Sequence, residues 1–267
     1  MIEVFTMGID VGSTTSKCVV LRNASEIVAK SLISVGIGTS GPERAIKQLF
    51  DSSGLEPDSI SYILATGYGR NSCEIAASTK SELSCHAKGA RFLFPDAQTV
   101  IDIGGQDAKA LRIGPGGELS NFVMNDKCAA GTGRFLDVMA RILELGVEDL
   151  GEIGETSVKA AEISSTCTVF AETEVISQLA QGADRVDIVA GINKSVASRV
   201  AGLVRRVGVA GSVIMSGGVA QNKGIRHELE KDLGIEIHDS PLSQYIGAIG
   251  AALFAYEIVN EDLPDDK

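Results

Sequence analysis

The chain carries the same short sequence pattern twice, once near residue 10 and again near residue 102. In each copy an apolar run leads into an aspartate and then a glycine turn. These residues are Asp10 and Gly12 in the first copy, and Asp102 and Gly104 in the second. A further apolar run follows each turn, which is typical of a β-hairpin. The repeat indicates an internal duplication, so we expect two similar α/β lobes.

The periodicity of the remaining chain predicts the other elements. Strands are expected near 26–34, 62–65 and 212–215, and helices from Gly41, over 82–92 and from Gly247. After the second hairpin we expect the chain to turn helical, beginning with an apolar stripe over 135–143. The stripes on the later helices, which include Ile176, are expected to face the core.

The composition limits the classes of partner. With 24 basic and 35 acidic residues the net charge is -11, and such a chain lacks the basic surplus that neutralises nucleic-acid phosphates. The N-terminus has no basic segment followed by an apolar core. The longest uncharged stretch, 240–256, falls short of the roughly 20 apolar residues of a membrane helix. We therefore expect a cytoplasmic protein with no nucleic-acid or membrane partner, and a solvated, poorly ordered acidic end at 261–267.

The two glycine turns have the chemistry of phosphate-binding sites. Glycine lets the backbone approach an anion closely, and backbone N–H groups together with the hydroxyls of 13–16 supply donors. Lys17 adds a positive charge, while Asp10 and Asp102 could hold Mg²⁺ through its waters. One such hairpin could equally be structural, but two copies and a third small-residue turn at 216–218 favour nucleotide binding. The sequence contains no P-loop motif, and no Rossmann glycine motif follows its first predicted strand.

Two of the five cysteines lie in polar, small-residue turns that precede predicted helices. These are Cys128 and Cys167, and a helix N-terminus favours the thiolate that binds metal. Two thiolates do not complete a tetrahedral zinc site or a four-iron cluster, and no nearby histidine adds to them. A two-fold dimer would supply four thiolates, although either cysteine alone could be a small buried hydrophobe. Burial is the expectation for Cys18, Cys73 and Cys85.

The paired hairpins resemble those of the actin, sugar-kinase and heat-shock ATPase superfamily. That resemblance implies an α/β fold of two duplicated ribonuclease-H-like lobes, with ATP in the cleft between them. The first lobe would comprise 1–97, completed by a C-terminal helix at 247–258, and the second would comprise 98–246 and carry both candidate ligand cysteines.

The same resemblance implies roles for particular residues. Gln106 or Asp107 would position the attacking water, and Asp10 completes the implied catalytic set. The adenosine loop would be formed by 216–218 with Gln221 nearby. The full implied cofactor-binding set is Gly12, Ser13, Thr14, Thr15, Ser16, Lys17, Asp102, Gly104, Gly105, Ser216, Gly217, Gly218, Gln221, Ser240 and Gln244.

A closer resemblance extends over nearly the whole chain. The segments 65–70, 101–108, 125–136 and 163–178 resemble the ATP-dependent activators of 2-hydroxyacyl-CoA dehydratases, in particular that of 2-hydroxyglutaryl-CoA dehydratase. This resemblance implies a homodimer with one bridging [4Fe-4S] cluster, ligated in each subunit by Cys128 and Cys167. It further implies ATP/ADP and Mg²⁺ as cofactors, ferredoxin or flavodoxin as electron donor, and a dehydratase (component D) as the acceptor of one electron. Benzoyl-CoA reductase ATPase subunits share the motifs, so the partner stays open.

Two alternatives have no redox role. A metabolite kinase of the same fold would need a catalytic aspartate facing its substrate, and such kinases usually have insertions for which this chain has little room. A nucleotide-switched scaffold would leave Cys128 and Cys167 without a function. An iron-sulfur protein is brown, whereas either alternative is colourless.

Overall fold

The computed structural model describes residues 3–261 of the chain, which divide into two compact units. The first unit comprises the described residues of Met1–Pro95, Gly116–Leu119 and Tyr245–Lys267, and the second comprises Asp96–Pro115 and Ser120–Gln244. Residues 262–267 of the acidic end lie outside the described part. Within that part, no helix combines the length and apolar character that crossing a membrane requires.

The sheet of the first unit has five strands in the order β3-β2-β1-β4-β5. Strand β1 pairs antiparallel with β2, which pairs antiparallel with β3, whereas β4 runs parallel to β1 and β5 parallel to β4. This is the ribonuclease-H-like arrangement. The strands are β1 (Phe5–Val11), β2 (Ser16–Arg22), β3 (Glu26–Ile33), β4 (Ile60–Thr66) and β5 (Ser78–Thr79).

Helices cover both faces of this sheet because side chains alternate along its strands. In β2, Cys18 and Val20 pack with helix α1 (Gly41–Ser53), whereas Val19 and Leu21 pack with helix α8 (Ile246–Glu261). Helix α2 (Glu82–Leu93) packs beside α8. Helix α8 therefore completes the core of the first unit.

The approach of α8 to β1 is too close for any side chain at Gly8. A Cβ atom there would overlap the carbonyl oxygen of Ala248 and lie 2.5 Å from the backbone nitrogen of Ala252. Glycine at this position allows the helix to lie directly on the strand.

The sheet of the second unit repeats the first, with the order β10-β9-β6-β7-β8. Strands β6 and β7 form the antiparallel hairpin, and β9 runs parallel to β6 as β4 does to β1. The predicted duplication of a ribonuclease-H-like lobe is confirmed. The strands are β6 (Ala97–Ile103), β7 (Ala108–Ile113), β8 (Leu119–Asn125), β9 (Ser212–Ser216) and β10 (Ile237–His238).

Five helices belong to the second unit, and α6 is the longest of them. Its buried face and those of its neighbours form one large apolar core with β6, β7 and β9. The helices are α3 (Gly133–Leu143), α4 (Leu150–Ile153), α5 (Thr168–Ala180), α6 (Arg185–Val207) and α7 (Lys223–Leu233).

Two expectations about the second unit are wrong. The chain does not turn helical directly after the second hairpin, because β8 intervenes. None of the residues of this edge strand is buried, so it lacks the alternation that reveals a strand. Ile176 does not face the core either, since 51% of it is exposed. On α5 the fully buried positions are instead Ala171 and Val175.

Candidate functional site

The turn of the first hairpin, 12–15, is closed by its own backbone. The N–H of Gly12 donates to the carbonyl of Thr15 (3.0 Å). Asp10 lies opposite Lys17 in the hairpin register, and Lys17 Nζ is 3.0 Å from Asp10 Oδ2, with both side chains largely buried.

The hydroxyl residues of this turn differ in burial. Ser13, Thr14 and Thr15 are half-buried, but Ser16 is fully buried and donates its hydroxyl to the carbonyl of Val35 (2.9 Å). Ser16 thus braces the turn.

The turn of the second hairpin, 104–107, repeats this geometry with an additional charge. The N–H of Gly104 donates to the carbonyl of Asp107 (2.9 Å), and Asp102 lies opposite Lys109. Lys109 Nζ is 3.3 Å from Asp102 Oδ2 and 2.7 Å from Asp107 Oδ2, and all three side chains are buried. Gln106 is exposed at the tip, next to the half-buried Gly105.

Lys109 was absent from the predicted site residues. A signal for it exists in the sequence, because it follows Asp102 by the same seven positions that separate Lys17 from Asp10. The two hairpins therefore differ in charge. Asp10 is balanced by one lysine, whereas Asp102 and Asp107 share one.

A glycine backs each of the two strand-end aspartates. Gly67 follows β4 with φ +87°, and a Cβ atom on it would lie 2.5 Å from Asp10 Oδ1. Gly217 follows β9 with φ +82°, and its Cβ would lie 3.0 Å from Asp102 Oδ1. Ser216 also donates its hydroxyl to Asp102 Oδ1 (2.7 Å). The duplication thus extends to both hairpins and to the parallel strand beside each.

The predicted adenosine loop follows β9 as a 3-10 turn, Gly218–Gln221. Gln221 Nε2 donates to Gln244 Oε1 (2.9 Å), and a Cβ on Gly218 would lie 3.1 Å from Gln244 Nε2. Ser240 shapes the turn that leads to Gln244, because its hydroxyl accepts from the N–H of Leu242 (3.1 Å). The structure brings Gly218, Gln221 and Gln244 together, with Ser240 in a supporting place.

A cavity of about 510 Å³ lies between α6, α7 and the segment after α4. Asn193 on α6 is 1% exposed and donates through Nδ2 to the carbonyl of Leu150 (2.9 Å). Its Oδ1 has no hydrogen-bond partner among residues 3–261, so a ligand donor would satisfy it. The lining includes Gly154, Val158, Ala190, Asn193, Gly224 and His227.

The five thiols of the chain, all unpaired, differ in exposure. Burial raises the pKa of Cys85 to about 12 and also raises the pKa values of Cys18 and Cys73. Cys18 and Cys85 are buried as predicted, whereas Cys73 is half-buried. Cys128 and Cys167 are also half-buried, and each precedes one of two helices, α3 and α5, that pack against each other.

Cys128 and Cys167 suit a soft metal but do not complete a site alone. Iron-sulfur clusters are held by cysteine thiolates, usually four. Within residues 3–261, neither cysteine belongs to a group of three or more histidine, cysteine or carboxylate ligands. A four-iron cluster therefore fits this chain only if a second copy contributes the other two thiolates.

Comparison with known proteins identifies the family. Residues 7–255 match the model of the BadF/BadG/BcrA/BcrD ATPase family. The chain belongs to this ATPase family. It is 60% identical over 96% of its length to the (R)-2-hydroxyglutaryl-CoA dehydratase activating ATPase of Acidaminococcus fermentans, covering 98% of that protein. It is also 53% identical over 95% of its length to the activator of lactoyl-CoA dehydratase of Anaerotignum propionicum, covering 98% of that protein.

A solved structure of another family member supports the same assignment. The activator of the 2-hydroxyisocaproyl-CoA dehydratase from Clostridium difficile, with bound ADPNP, superposes with a TM-score of 0.94. The two are 50% identical, and the match covers 99% of this chain and 100% of the other. The predicted actin-like ATPase fold is thereby confirmed.

Proposed function

We propose that this family member is an ATP-dependent one-electron donor that activates a 2-hydroxyacyl-CoA dehydratase. The observation that carries the proposal is the pair Cys128 and Cys167, two half-buried thiols that precede packed helices and need a second copy to form a four-thiolate set. We further propose a homodimer in which these four thiolates hold one [4Fe-4S] cluster. When bound, such a cluster supplies one electron at a time at low potential.

Each of the two hairpins has groups that would bind the phosphates of ATP. Backbone N–H groups of the turns and the hydroxyls of 13–15 would bind the phosphates, while Asp10 and Asp102 would hold Mg²⁺ through its waters. Lys109 fixes Asp107 at 2.7 Å, so this carboxylate or the neighbouring Gln106 would orient the attacking water. The duplicated geometry supports this assignment.

The cavity beside α7 would hold the purine base. Helix α7 directly follows the loop that contains Gly218 and Gln221, and it contributes Gly224 and His227 to the cavity lining. An exocyclic amine would satisfy Asn193 Oδ1, the buried acceptor without a partner among the described residues. Small residues such as Ala190 leave room for a flat ring.

The proposed electron path begins at ferredoxin or flavodoxin and ends at the dehydratase, in the cytoplasm. The relatives named above are activators of 2-hydroxyglutaryl-CoA, lactoyl-CoA and 2-hydroxyisocaproyl-CoA dehydratases. Of these three, the first is closest in sequence at 60% identity, so 2-hydroxyglutaryl-CoA dehydratase is the partner we propose. A reconstitution with each of the three dehydratases would test this choice.

The proposed cluster is tested by the iron and acid-labile sulfide content of protein purified without oxygen, together with its mass in solution. We expect about four irons per dimer. Cys128→Ala and Cys167→Ala should each lose the iron and keep nucleotide binding, whereas Cys73→Ala, at a half-buried thiol outside the proposed site, should keep both. A colourless, iron-free monomer that still hydrolyses ATP would contradict the proposal and favour a metabolite kinase, to be tested with small phosphoryl acceptors.

A further inference from the structure

The second hairpin turn is joined directly to the beginning of α3. The N–H of Gly133 donates to the carbonyl of Gly104 (2.9 Å), and the N–H of Arg134 donates to the carbonyl of Gly105 (2.7 Å). The first N–H groups of a helix have no partner inside the helix. Here the turn proposed to bind phosphate supplies two of those partners.

This junction is tight at Gly133. A Cβ atom there would lie 3.2 Å from the Gly104 carbonyl oxygen and 3.3 Å from Gly105 Cα. Both distances are tighter than ordinary contact between such atoms, and the neighbours are backbone atoms with little freedom to yield. A methyl group at 133 would therefore shift the turn and the helix relative to each other by a few tenths of an ångström.

The loop that carries Cys128 is fixed to the same junction. Asn125, at the end of β8, donates through Nδ2 to the carbonyls of Cys128 (3.0 Å) and Ala130 (3.2 Å). Thr132 is fully buried and donates its hydroxyl to the carbonyl of Ala129 (2.7 Å). Backbone and side-chain hydrogen bonds thus brace the whole interval from Cys128 to Gly133.

The first hairpin turn makes the equivalent bond to a different kind of partner. The carbonyl of Gly12 accepts from the N–H of Ile37 (2.9 Å), which lies in the loop before α1. That loop carries no cysteine. Among the described residues, only the second turn is bonded to a segment that contains a candidate cluster ligand.

Cys167 is braced separately. The N–H of Ser164 donates to Glu174 Oε2 (2.6 Å), and the hydroxyl of Ser195 donates to the Ser164 carbonyl (3.0 Å). These bonds anchor the Cys167 loop to α5 and α6. Within residues 3–261, its hydrogen bonds do not reach the 104–107 turn.

We propose that Gly133 is a positioning residue that transmits the nucleotide state of the second turn to Cys128 and not to Cys167. A phosphate contact that shifts the Gly104 and Gly105 peptides moves their carbonyls, and the first turn of α3 must follow. The inference rests on the ATP site proposed above, but it does not depend on the cluster. Each subunit then has one responsive cysteine and one fixed cysteine.

The test measures thiol alkylation in the full-length, iron-free chain. N-ethylmaleimide labelling rates of individual cysteines are followed by peptide mass spectrometry, with MgADP and with Mg-ADPNP. We expect the Cys128 rate to differ at least threefold between the two nucleotides and the Cys167 rate to differ less than 1.5-fold, as rough thresholds for a local opening equilibrium. In Gly133→Ala the difference at Cys128 should fall below 1.5-fold, on the same rough scale.

A matched glycine and a second variant complete the design. Gly202→Ala on α6 places a methyl group where nothing lies within 4 Å, so the Cys128 response should stay as in the wild type. If Gly133→Ala does not fold, Asn125→Asp removes the donor to the Cys128 carbonyl and should reduce the same response.

Equal responses at both cysteines, or a full response in Gly133→Ala, would overturn the inference alone. Equilibrium dialysis of nucleotide in the same samples separates the two proposals. A chain that binds no nucleotide would overturn the proposed function together with the inference.

Discussion

Removing Lys109 should destabilise the second unit more than removing its counterpart Lys17 destabilises the first. The Lys109 ammonium lies 2.7 Å from Asp107 and 3.3 Å from Asp102, and its side chain is 3% exposed. Lys109→Met keeps the length of the side chain and leaves two buried carboxylates without that cation. Lys17→Met removes a cation from only one carboxylate, and the Lys17 side chain is 13% exposed.

The expected size follows from the burial. Breaking a buried ion pair by removal of one partner costs about 3–5 kcal/mol, so we expect Lys109→Met to lose that amount of unfolding free energy. Loss of a hydrogen bond to a charged group costs about 1.5–3 kcal/mol, which is our expectation for Lys17→Met. Urea unfolding followed by circular dichroism at pH 7, without nucleotide, measures both values.

Magnesium provides an internal check on this reasoning. In Lys109→Met, Asp102 and Asp107 have lost the lysine cation, so binding of Mg²⁺ to them should stabilise the folded variant. The unfolding free energy should rise by about 2.7 kcal/mol when the Mg²⁺ concentration is 100 times the dissociation constant of the variant. Wild-type protein should gain less, because Lys109 already occupies the position between the carboxylates. A loss below about 1 kcal/mol in Lys109→Met, or an equal loss in Lys17→Met, would refute the argument that burial decides the cost.

Three further outcomes are expected. Burial raises the pKa of Cys85 from its ordinary 9.0 to about 12, and it raises the pKa of Cys18 as well. Above pH 9 both thiols therefore ionise in the unfolded protein, whereas they stay protonated in the folded protein. The unfolding free energy should therefore fall as the pH rises above 9, by about 1.4 kcal/mol per thiol at pH 10. Urea midpoints that do not change between pH 8 and 10 would contradict this. Gly8→Ala should lose about 1–3 kcal/mol or more through overlap with α8, whereas Gly202→Ala should gain about 0.5–1 kcal/mol; thermal unfolding distinguishes them. Gly217→Ala should weaken ADPNP binding in dialysis, since its Cβ would overlap the carbonyl of Ile103, and unchanged affinity would separate this loop from the nucleotide.

Local chemistry explains why the hairpins could be predicted from the sequence. An apolar strand, a glycine that permits a tight turn and a second apolar strand all lie within about 20 residues, so no distant contact is needed to specify them. The recurrence of that unit predicted the second lobe. Strand β8 was missed because its outer position leaves Phe122 and its neighbours exposed, and the exposed α5 residue Ile176 was misplaced because apolar residues do not always point inward.

Tertiary contacts explain what could not be predicted. The role of Lys109 depends on the hairpin register, which sets it opposite Asp102, and on Asp107 folding back to the same cation. The junction of Gly133 with Gly104 depends on how α3 packs against its sheet, and no local pattern records that packing. The sequence motif around Cys128 marks the loop but not its connection to the turn.

The place of α8 in the fold has a consequence for synthesis on the ribosome. The N-terminal part of the first unit ends at Pro95, but the helix that covers Val19 and Leu21 begins only at Ile246. At about 5–20 residues per second, the roughly 150 intervening residues take about 8–30 s to translate. During that interval the core of the second unit is itself still being made, and the first sheet lacks α8 over Val19 and Leu21. The nascent chain therefore presents a binding surface for chaperones that the finished protein does not have.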